Sequence, residues 1–472
     1  MNARKILAYA LGPIGSAALG LVSLPLISWY FPPEDIGRIV LLQTVASLTV
    51  LLLGLGLDQA YIRDYYAAPD KAVLFKSYAL LPLGLTLAAA AFISLTTPAW
   101  PSEKVFALDH SFLGVLFLVF VAATLITRFF ALILRMQEQA LAFSFSQLAP
   151  KLLILLWVAG WLLIGLPADT TGLVSAYAAA QVLTVMLLVW LVRKELTAAA
   201  RAPWSGTLQQ AGLRYGFPLA CGNIAYWGFT SVDRFVLKQY AGLDELGIYS
   251  MAVSFGAAAL IFQSVFSTIW APMVFRWVEE NRNLDKIGGI SLNMSAAITA
   301  IICLVGLFSP LVPMILPDTY APVQFILLSS MMFPLFYTLT EVSGIGLNVV
   351  KRTWLITAVN IAACAVNLGL LFWLVPHLGA RGAAVSIAVA FWVFFIIKTE
   401  LSSHLWQPLP RLKLYSQSTL SLGLCLSYTL WGTPGNYPLF AFVWLLVLAG
   451  LAKQYRHALQ QAAQLIKGRL KK

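Results

Sequence analysis

The sequence has few charged residues, with Asp, Glu, Lys and Arg making up 11% of 472 positions against 60% hydrophobic ones. A soluble domain is roughly 25% charged and roughly 45–50% apolar, so this composition excludes an ordinary soluble globular protein. A bilayer core about 30 Å thick takes about 20 residues of helix per crossing, which leaves room for a dozen or more spans. The apolar stretches run unbroken instead of alternating with polar positions, which argues against an outer-membrane barrel.

Cysteine and histidine are also scarce, with four of each. The cysteines form no CxxC pair and the histidines are dispersed, so we predict no metal site. The sequence lacks GxSxG, HExxH and Walker-type motifs, and it lacks a paired acidic motif on an extracytoplasmic loop. These absences exclude an ATP-driven pump and argue against an enzyme, so we expect neither a cofactor nor a catalytic residue.

Fourteen apolar segments of about 20 residues follow one another along the chain. The predicted membrane spans are 6–30, 37–57, 74–97, 111–134, 143–166, 172–192, 213–238, 246–270, 288–309, 322–347, 354–375, 381–400, 416–433 and 438–455. Loops and helix ends on one side hold 25 of the 31 Lys and Arg residues, so that side, with both termini, is predicted to face the cytoplasm. The basic residues thus orient the chain in a membrane, and no tract is typical of a nucleic-acid interface. The few cations on the other side are Arg38, Lys104, Arg234, Lys238 and Arg381.

The chain contains an internal repeat. Residues 30–37 read YFPPEDIG and residues 240–247 read YAGLDELG, so the two align without gaps at an offset of 210. Units with an even number of spans have the same orientation, as in transporters built from parallel repeats. We therefore predict a six-helix lobe over 1–210, a second over 211–412, and two further spans with a basic cytoplasmic tail over 413–472. Chance similarity between short loops is the alternative.

Single polar residues mark otherwise apolar spans, where a charge costs roughly 2.5–3.5 kcal/mol and usually faces a water-filled cavity or a partner. Lys151 follows Gln147 at helical spacing in the fifth span, and Arg128 lies in the fourth. For both cations the alternative is snorkelling toward the cytoplasmic interface. We predict a shared hydrophilic lumen whose other polar residues are Asn223, Tyr226, Thr230, Asn360 and Asn367.

Acidic residues in or beside the spans are candidates for ion coupling. Glu341 lies in the tenth span, where a carboxylate takes up a proton or Na⁺ or pairs with a cation. Asp233 ends the polar face of the seventh span, and a structural role at the helix end is its alternative. Asp58 closes the second span and completes this set.

Several segments resemble one known family. The segments are Leu11-Gly12-Pro13, residues 30–37, Tyr215-Gly216-Phe217-Pro218, residues 231–237 (SVDRFVL) and residues 246–250 (LGIYS). They resemble Wzx-type oligosaccharide flippases, which share the MOP superfamily with MATE drug exporters and peptidoglycan-precursor flippases. The resemblance covers about residues 5–400 and is most specific in the last two segments.

The resemblance implies an all-α polytopic membrane protein of the inner membrane, with two six-helix lobes in a V that open alternately to either side. It implies a polyprenyl pyrophosphate-linked oligosaccharide as substrate. The other partners that we expect are membrane lipids and a polysaccharide polymerase or chain-length machinery. The driving force is either an H⁺ or Na⁺ gradient or consumption of the product outside. The candidates for attracting the pyrophosphate are Lys151, Arg128, Arg63 and Arg214.

The sequence also departs from one branch of that superfamily. Peptidoglycan-precursor flippases carry arginines on helices one, two and eight, whereas residues 6–30 and 247–270 have no charge here. This difference argues against a peptidoglycan role. The leading alternative function is an ion-coupled MATE-like exporter of amphipathic small molecules, and a membrane-embedded polymerase or acyltransferase is a more distant one.

Overall fold

The computed structural model describes residues 3–165 and 167–456, and every regular element in these ranges is helical. The expected all-α fold is therefore confirmed. The part of the predicted basic tail that follows Arg456 lies outside the described residues.

The chain divides into two compact units, Met1–Ala258 and Ala259–Lys472. The helices of the first unit are α1 (Ala3–Ser28), α2 (Pro33–Gly54), α3 (Leu57–Asp64), α4 (Lys71–Thr96), α5 (Trp100–Phe106), α6 (Ser111–Met136), α7 (Ala140–Leu163), α8 (Thr170–Leu191), α9 (Arg193–Arg201), α10 (Gly206–Ser231), α11 (Asp233–Tyr240) and α12 (Leu243–Phe255). Those that follow are α13 (Ala257–Glu279), α14 (Lys286–Phe308), α15 (Val312–Ile315), α16 (Val323–Ser330), α17 (Met332–Ser343), α18 (Gly346–Val349), α19 (Thr353–Leu405), α20 (Arg411–Trp431) and α21 (Tyr437–Gln454). The predicted lobes 1–210 and 211–412 stay a prediction.

Within the described ranges, ten helices are long and apolar enough to cross a membrane. They form because a backbone in hydrocarbon must satisfy its hydrogen bonds internally, which an uninterrupted apolar helix does. The remaining predicted spans fall on α1, α10, α20 and the second half of α19. The count of fourteen is consistent with this structure and stays a prediction.

Gly379 divides α19 into the two spans that the sequence predicts there. Its φ of 54° and ψ of −129° are not helical. A left-handed φ is accessible to glycine without the steric cost of a side chain. After this break, the backbone at Gly382 returns to within contact of Leu374.

An apolar core of the first unit lies where α3, α4 and α6 meet. Leu57, Tyr61, Leu74, Tyr78 and Phe129 are each at most 2% exposed there. Burying one large apolar side chain contributes roughly 1.5–3 kcal/mol. This core fixes the short helix α3 against the two long helices.

The two copies of the repeat contact each other within the first unit. A Cβ built on Gly37 of α2 would overlap the carbonyl oxygen of Leu243 at the start of α12, and a Cβ on Gly247 would overlap that of Pro33. Because Leu243 and Gly247 are the repeat counterparts of Pro33 and Gly37, the contact is reciprocal. Reciprocal contacts are what a two-fold relation between two copies produces. The motif therefore serves to bring two helix backbones together.

A second backbone contact joins α10 to the start of α3. Gly56 has a φ of 69°, and its backbone and that of Gly216 leave no space for a Cβ on either residue. This contact places the first turns of α10 beside the helix that carries Asp58 and Arg63.

We predict that Gly37→Ala destabilises the protein by about 1–3 kcal/mol, the usual cost of overpacking, because the added methyl group forces α2 away from α12. The measurement is the apparent melting temperature in detergent. Gly54→Ala on the same helix is the control, since a Cβ there meets nothing within 4 Å. Equal melting temperatures for the two variants would contradict a close backbone crossing.

Candidate transport site

Arg128 and Asp58, predicted as separate site residues, form an ion pair between α6 and α3. Arg128 Nε donates to Asp58 Oδ2 at 2.9 Å and its Nη2 donates to the same oxygen. Gln59 Nε2 also donates to Asp58 Oδ2, at 2.9 Å. The Asp58 side chain is 7% exposed, whereas that of Arg128 is 41% exposed. The buried carboxylate therefore orients a guanidinium that still has N–H donors for an anion, because an arginine carries five of them.

Arg63 lies at the other end of α3, where it contacts α10. Its Nε and Nη2 donate to the two carboxylate oxygens of Asp64 at 2.6 and 2.7 Å. Tyr78 donates its hydroxyl to Asp64 at 2.7 Å, and the guanidinium lies 3.9 Å from the centre of the Tyr215 ring. The hydrogen bonds from Arg63 hold the pKa of Asp64 below its usual value, so this carboxylate stays charged at neutral pH.

The short helix α3 thus contacts two of the predicted cations, since Arg128 pairs with its Asp58 and Arg63 is one of its own residues. Asp58 and Arg63 are five residues apart, which is about 7.5 Å of helical rise. Arg214 is the chain neighbour of Tyr215 and is exposed, and within the described ranges it makes no hydrogen bond or ion pair. We call Arg63, Arg128 and Arg214 the arginine cluster. Its net charge stays positive, because Asp58 and Asp64 are its only carboxylate partners in that part of the chain.

Lys151 has a different setting, between α7 and α1. Its Nζ donates to the carbonyl oxygen of Ser16 at 2.5 Å. The ammonium group also lies where a side chain on Gly20 would be, and Gln147, one turn earlier, is half-buried. Among the described residues no carboxylate pairs with Lys151. Its contacts are with α1, whereas those of Arg128 and Arg63 are with α3 and α10.

The predicted polar face of α10 is present and largely exposed. Asn223 and Tyr226 are exposed, and Thr230 is half-buried with its hydroxyl bonded to the Tyr226 carbonyl at 3.1 Å. Trp227 on the same helix donates to Ser47 of α2 at 2.9 Å. Exposed polar groups in a span usually face water rather than lipid, so the exposed polar residues of α2 and α10 fit the predicted hydrophilic lumen, which stays a prediction.

Asp233 is enclosed at the start of α11. Its side chain accepts a hydrogen bond from the Tyr249 hydroxyl and one from the Arg234 backbone at 2.9 Å, and it is 3% exposed. Arg234 in turn donates to Thr44 of α2 at 3.1 Å. The carboxylate therefore links α11 to α12. Its role in ion coupling stays a prediction.

Glu341 of the second unit accepts a hydrogen bond from Ser267 of α13 and lies half-buried in α17. Trp270 donates its indole N–H to the Glu341 carbonyl at 3.1 Å. Gln263, one turn before Ser267, has a buried side-chain oxygen that makes no hydrogen bond to the described residues. Lys398 of α19 is 7% exposed and interacts electrostatically with Glu341. Oxygen atoms and one buried cation thus surround this carboxylate.

The sequence did not single out Lys398, because its position near the end of a predicted span is typical of a lysine at the cytoplasmic interface. The usable signal is that it directly follows an unbroken apolar run, residues 391–397, and lies two residues before that end. Asn360 and Asn367 lie on the first half of α19, half-buried and fully buried respectively. Both asparagines belong to the second unit and the arginine cluster to the first, so a lumen that they share stays a prediction.

Comparisons with known proteins identify a family and a fold. A family model described as "Polysaccharide biosynthesis protein" matches residues 3–278, and no curated protein matches the chain. The solved structure "Lipid II flippase MurJ, inward closed conformation" is 14% identical with a TM-score of 0.69, covering 96% of this chain and 100% of that one. An inward-facing multidrug resistance MATE family transporter of the MOP superfamily is 17% identical with a TM-score of 0.61, covering 85% of this chain and 96% of that one. The chain therefore has the fold of MOP-superfamily transporters.

We predict that Arg128→Gln lowers the stability of the protein by about 1–3 kcal/mol, because it leaves the buried Asp58 carboxylate with fewer donors. Adding Asp58→Asn to Arg128→Gln should recover part of the lost stability, because the effects of substituting two residues in direct contact do not simply add. The melting temperatures of Arg128→Gln, Asp58→Asn and the double variant test this expectation. Arg63→Gln is the control, because its partner Asp64 is more exposed and exposed pairs contribute little. A double variant that loses the full sum of the single effects would contradict the pairing.

Proposed function

The chain belongs to the polysaccharide biosynthesis protein family, and from this premise we propose that it is a flippase for a polyprenyl pyrophosphate-linked oligosaccharide. It moves this lipid from the cytoplasmic to the periplasmic leaflet of the inner membrane by alternating access, and both of its termini are cytoplasmic. The glycan then enters synthesis of a cell-surface polysaccharide such as O-antigen, capsule or exopolysaccharide. A polymerase or chain-length machinery is the expected partner.

The observation that carries this proposal is the arginine cluster. Arg128 is oriented by the buried Asp58 and keeps outward N–H donors, and Arg63 is held over Tyr215 one and a half turns away on α3. Guanidinium groups bind phosphate oxygens in a bidentate manner, which suits a pyrophosphate better than single ammonium groups do. An anionic head group needs such donors because a charge is costly to bring into hydrocarbon.

The polar face of α2 and α10 supports the same proposal. Asn223 and Tyr226 offer amide and hydroxyl groups on an exposed surface, and such groups bind sugar hydroxyls. The polyprenyl chain needs no polar route, since it stays in the bilayer. Lys151 remains a candidate for the anion path, although it lies against α1 and not in the arginine cluster.

A MATE-like exporter of amphipathic small molecules is the second candidate, because this fold is shared with multidrug resistance transporters. An exporter of cations needs acidic groups that are available to its substrate. In the first unit, Asp58 is neutralised by Arg128 and Asp233 is enclosed by Tyr249 and Arg234. These pairings favour an anionic substrate.

Ion coupling is proposed at Glu341. A proton or Na⁺ that binds this carboxylate would weaken its interaction with Lys398, because the ion removes the negative charge that Lys398 faces. The Ser267 hydroxyl, which contacts Glu341, and the side-chain oxygen of Gln263, one turn before Ser267 on α13, are further candidate oxygen ligands. Binding of an ion would thereby change how α13, α17 and α19 hold each other.

We predict that cells depleted of this protein accumulate a polyprenyl-linked oligosaccharide on the cytoplasmic leaflet. In the depleted cells, Arg63→Gln or Arg128→Gln should move the lipid to the periplasmic leaflet at a rate about tenfold lower than the unchanged chain does. The reason is that each variant loses a charge-assisted hydrogen bond to the pyrophosphate. The lipid is extracted and quantified after labelling, with values divided by the amount of folded protein in the membrane. Lys151→Ala is measured in parallel.

Arg201→Gln is the matched control, because Arg201 is an exposed arginine at the end of α9 that makes no hydrogen bond or ion pair with the described residues. It should complement fully. If no lipid-linked glycan accumulates in the depleted cells and their susceptibility to cationic dyes rises instead, the flippase proposal is wrong and the MATE-like exporter becomes the proposed function.

We predict that Glu341→Gln abolishes the dependence of transport on a proton or Na⁺ gradient, because the amide cannot exchange the ion. The rate of transport is measured in proteoliposomes with an imposed gradient of one ion at a time. Glu280→Gln, at an exposed position after α13, is the control. Unaltered coupling in Glu341→Gln would remove this residue from the proposal and leave the substrate assignment intact.

A further inference from the structure

The first unit contains an apolar slot between α2, α4, α5, α6 and α11. Its volume is about 370 Å³. The walls are formed almost entirely by aliphatic and aromatic side chains, among them Leu41, Val45, Ile93, Phe117 and Phe235.

The slot extends along α2. Leu41, Val45, Thr49 and Leu53 line it at intervals of four residues, so they form one stripe on the helix. Twelve residues of helix correspond to about 18 Å. An apolar slot of this length fits a single hydrocarbon chain.

Two lysines, Lys104 and Lys238, lie at one end of the slot, which we call its rim. Lys238 of α11 donates to the backbone oxygen of Lys104 of α5, and their ammonium groups interact repulsively. Glu103 pairs with Lys104 at 3.1 Å, with both side chains more than half exposed. No carboxylate in the described ranges pairs with Lys238. Two like charges held together with one exposed counter-charge attract a further anion.

The lysines lie at the opposite end of α2 from the arginine cluster. Arg38, in the first turns of α2, donates to the Phe106 carbonyl of α5 at 3.1 Å, which fixes the position of Lys104. Asp58 follows the other end of α2. The 22 residues of α2 rise about 33 Å, which is close to the thickness of a hydrocarbon core. The rim of the slot is therefore at the other membrane face.

The slot and the polar surface of α2 also occupy different sides of the helix. At 100° per residue, the stripe from Leu41 to Leu53 is centred roughly 160° away from the exposed Gln43 and Ser47. A lipid in the slot is thus separated by α2 from the surface assigned to transport. This separation favours a resident membrane lipid over the transported one.

We propose that the slot binds one acyl chain of an anionic phospholipid from the surrounding leaflet, with the phosphate between Lys104 and Lys238. The single negative charge of the phosphate, together with Glu103, balances the two lysines, and the acyl chain fills the apolar space between α2 and α4. The site is independent of the transported substrate, and its failure would leave the flippase proposal unaffected.

The test is native mass spectrometry of full-length protein released from vesicles of phosphatidylglycerol and phosphatidylcholine. The unchanged chain should retain phosphatidylglycerol, and the double variant Lys104→Gln/Lys238→Gln should lose roughly thirtyfold in affinity, as expected for two lysines beside an anionic lipid. Ala90→Trp, which fills the slot, should lower binding with the lysines in place.

Lys76→Gln/Lys194→Gln is the matched control. It removes two lysines of the same unit that do not line the slot, and it should bind phosphatidylglycerol like the unchanged chain. Equal binding by the rim variant and this control would overturn the proposal. Displacement of phosphatidylglycerol by an equimolar polyprenyl phosphate would also overturn it, because the slot would then belong to the transported lipid. If Ala90→Trp does not fold, the comparison of the two lysine variants decides.

Discussion

The close backbone crossing of α2 and α12 is the contact on which the first unit depends. Gly37 and Gly247 lack side chains, so each helix reaches a carbonyl oxygen at the start of the other. The crossing fixes the position of α2, and the other contacts of α2 depend on that position. Its first turns reach Phe106 through Arg38, its middle carries both the polar surface and the apolar slot, and its end leads into α3.

The carboxylates in or beside the spans are paired with donors or cations rather than isolated. Asp58 is buried with Arg128, Asp233 with Tyr249 and Arg234, and Glu341 beside Lys398. A buried carboxylate without donors would be costly, so each pairing stabilises its helices and also sets which charge remains available. In the first unit the available charge is positive, at the arginine cluster and at the rim of the slot. This pattern suits a lipid phosphate at either face of the membrane.

The sequence predicted the helical class and the repeat because both depend on local properties. An unbroken apolar run has one stable structure in hydrocarbon, and a motif repeated at a fixed offset implies a repeated local fold. The polar face of α10 was predictable for the same reason, since spacings of three and four residues place side chains on one side of a helix.

The pairing of side chains was not predictable in this way. Arg128 and Asp58 are 70 positions apart, and Tyr215 meets Arg63 across about 150 positions, so only tertiary packing brings them together. Lys151 and Arg128 look alike in sequence, yet one donates to a backbone carbonyl and the other to a carboxylate. The sequence by itself determined an all-helical, membrane-spanning chain with a repeated motif, because hydropathy and period act within single helices. The tertiary structure alone decided which charges are neutralised and which stay exposed, because that depends on distances between helices.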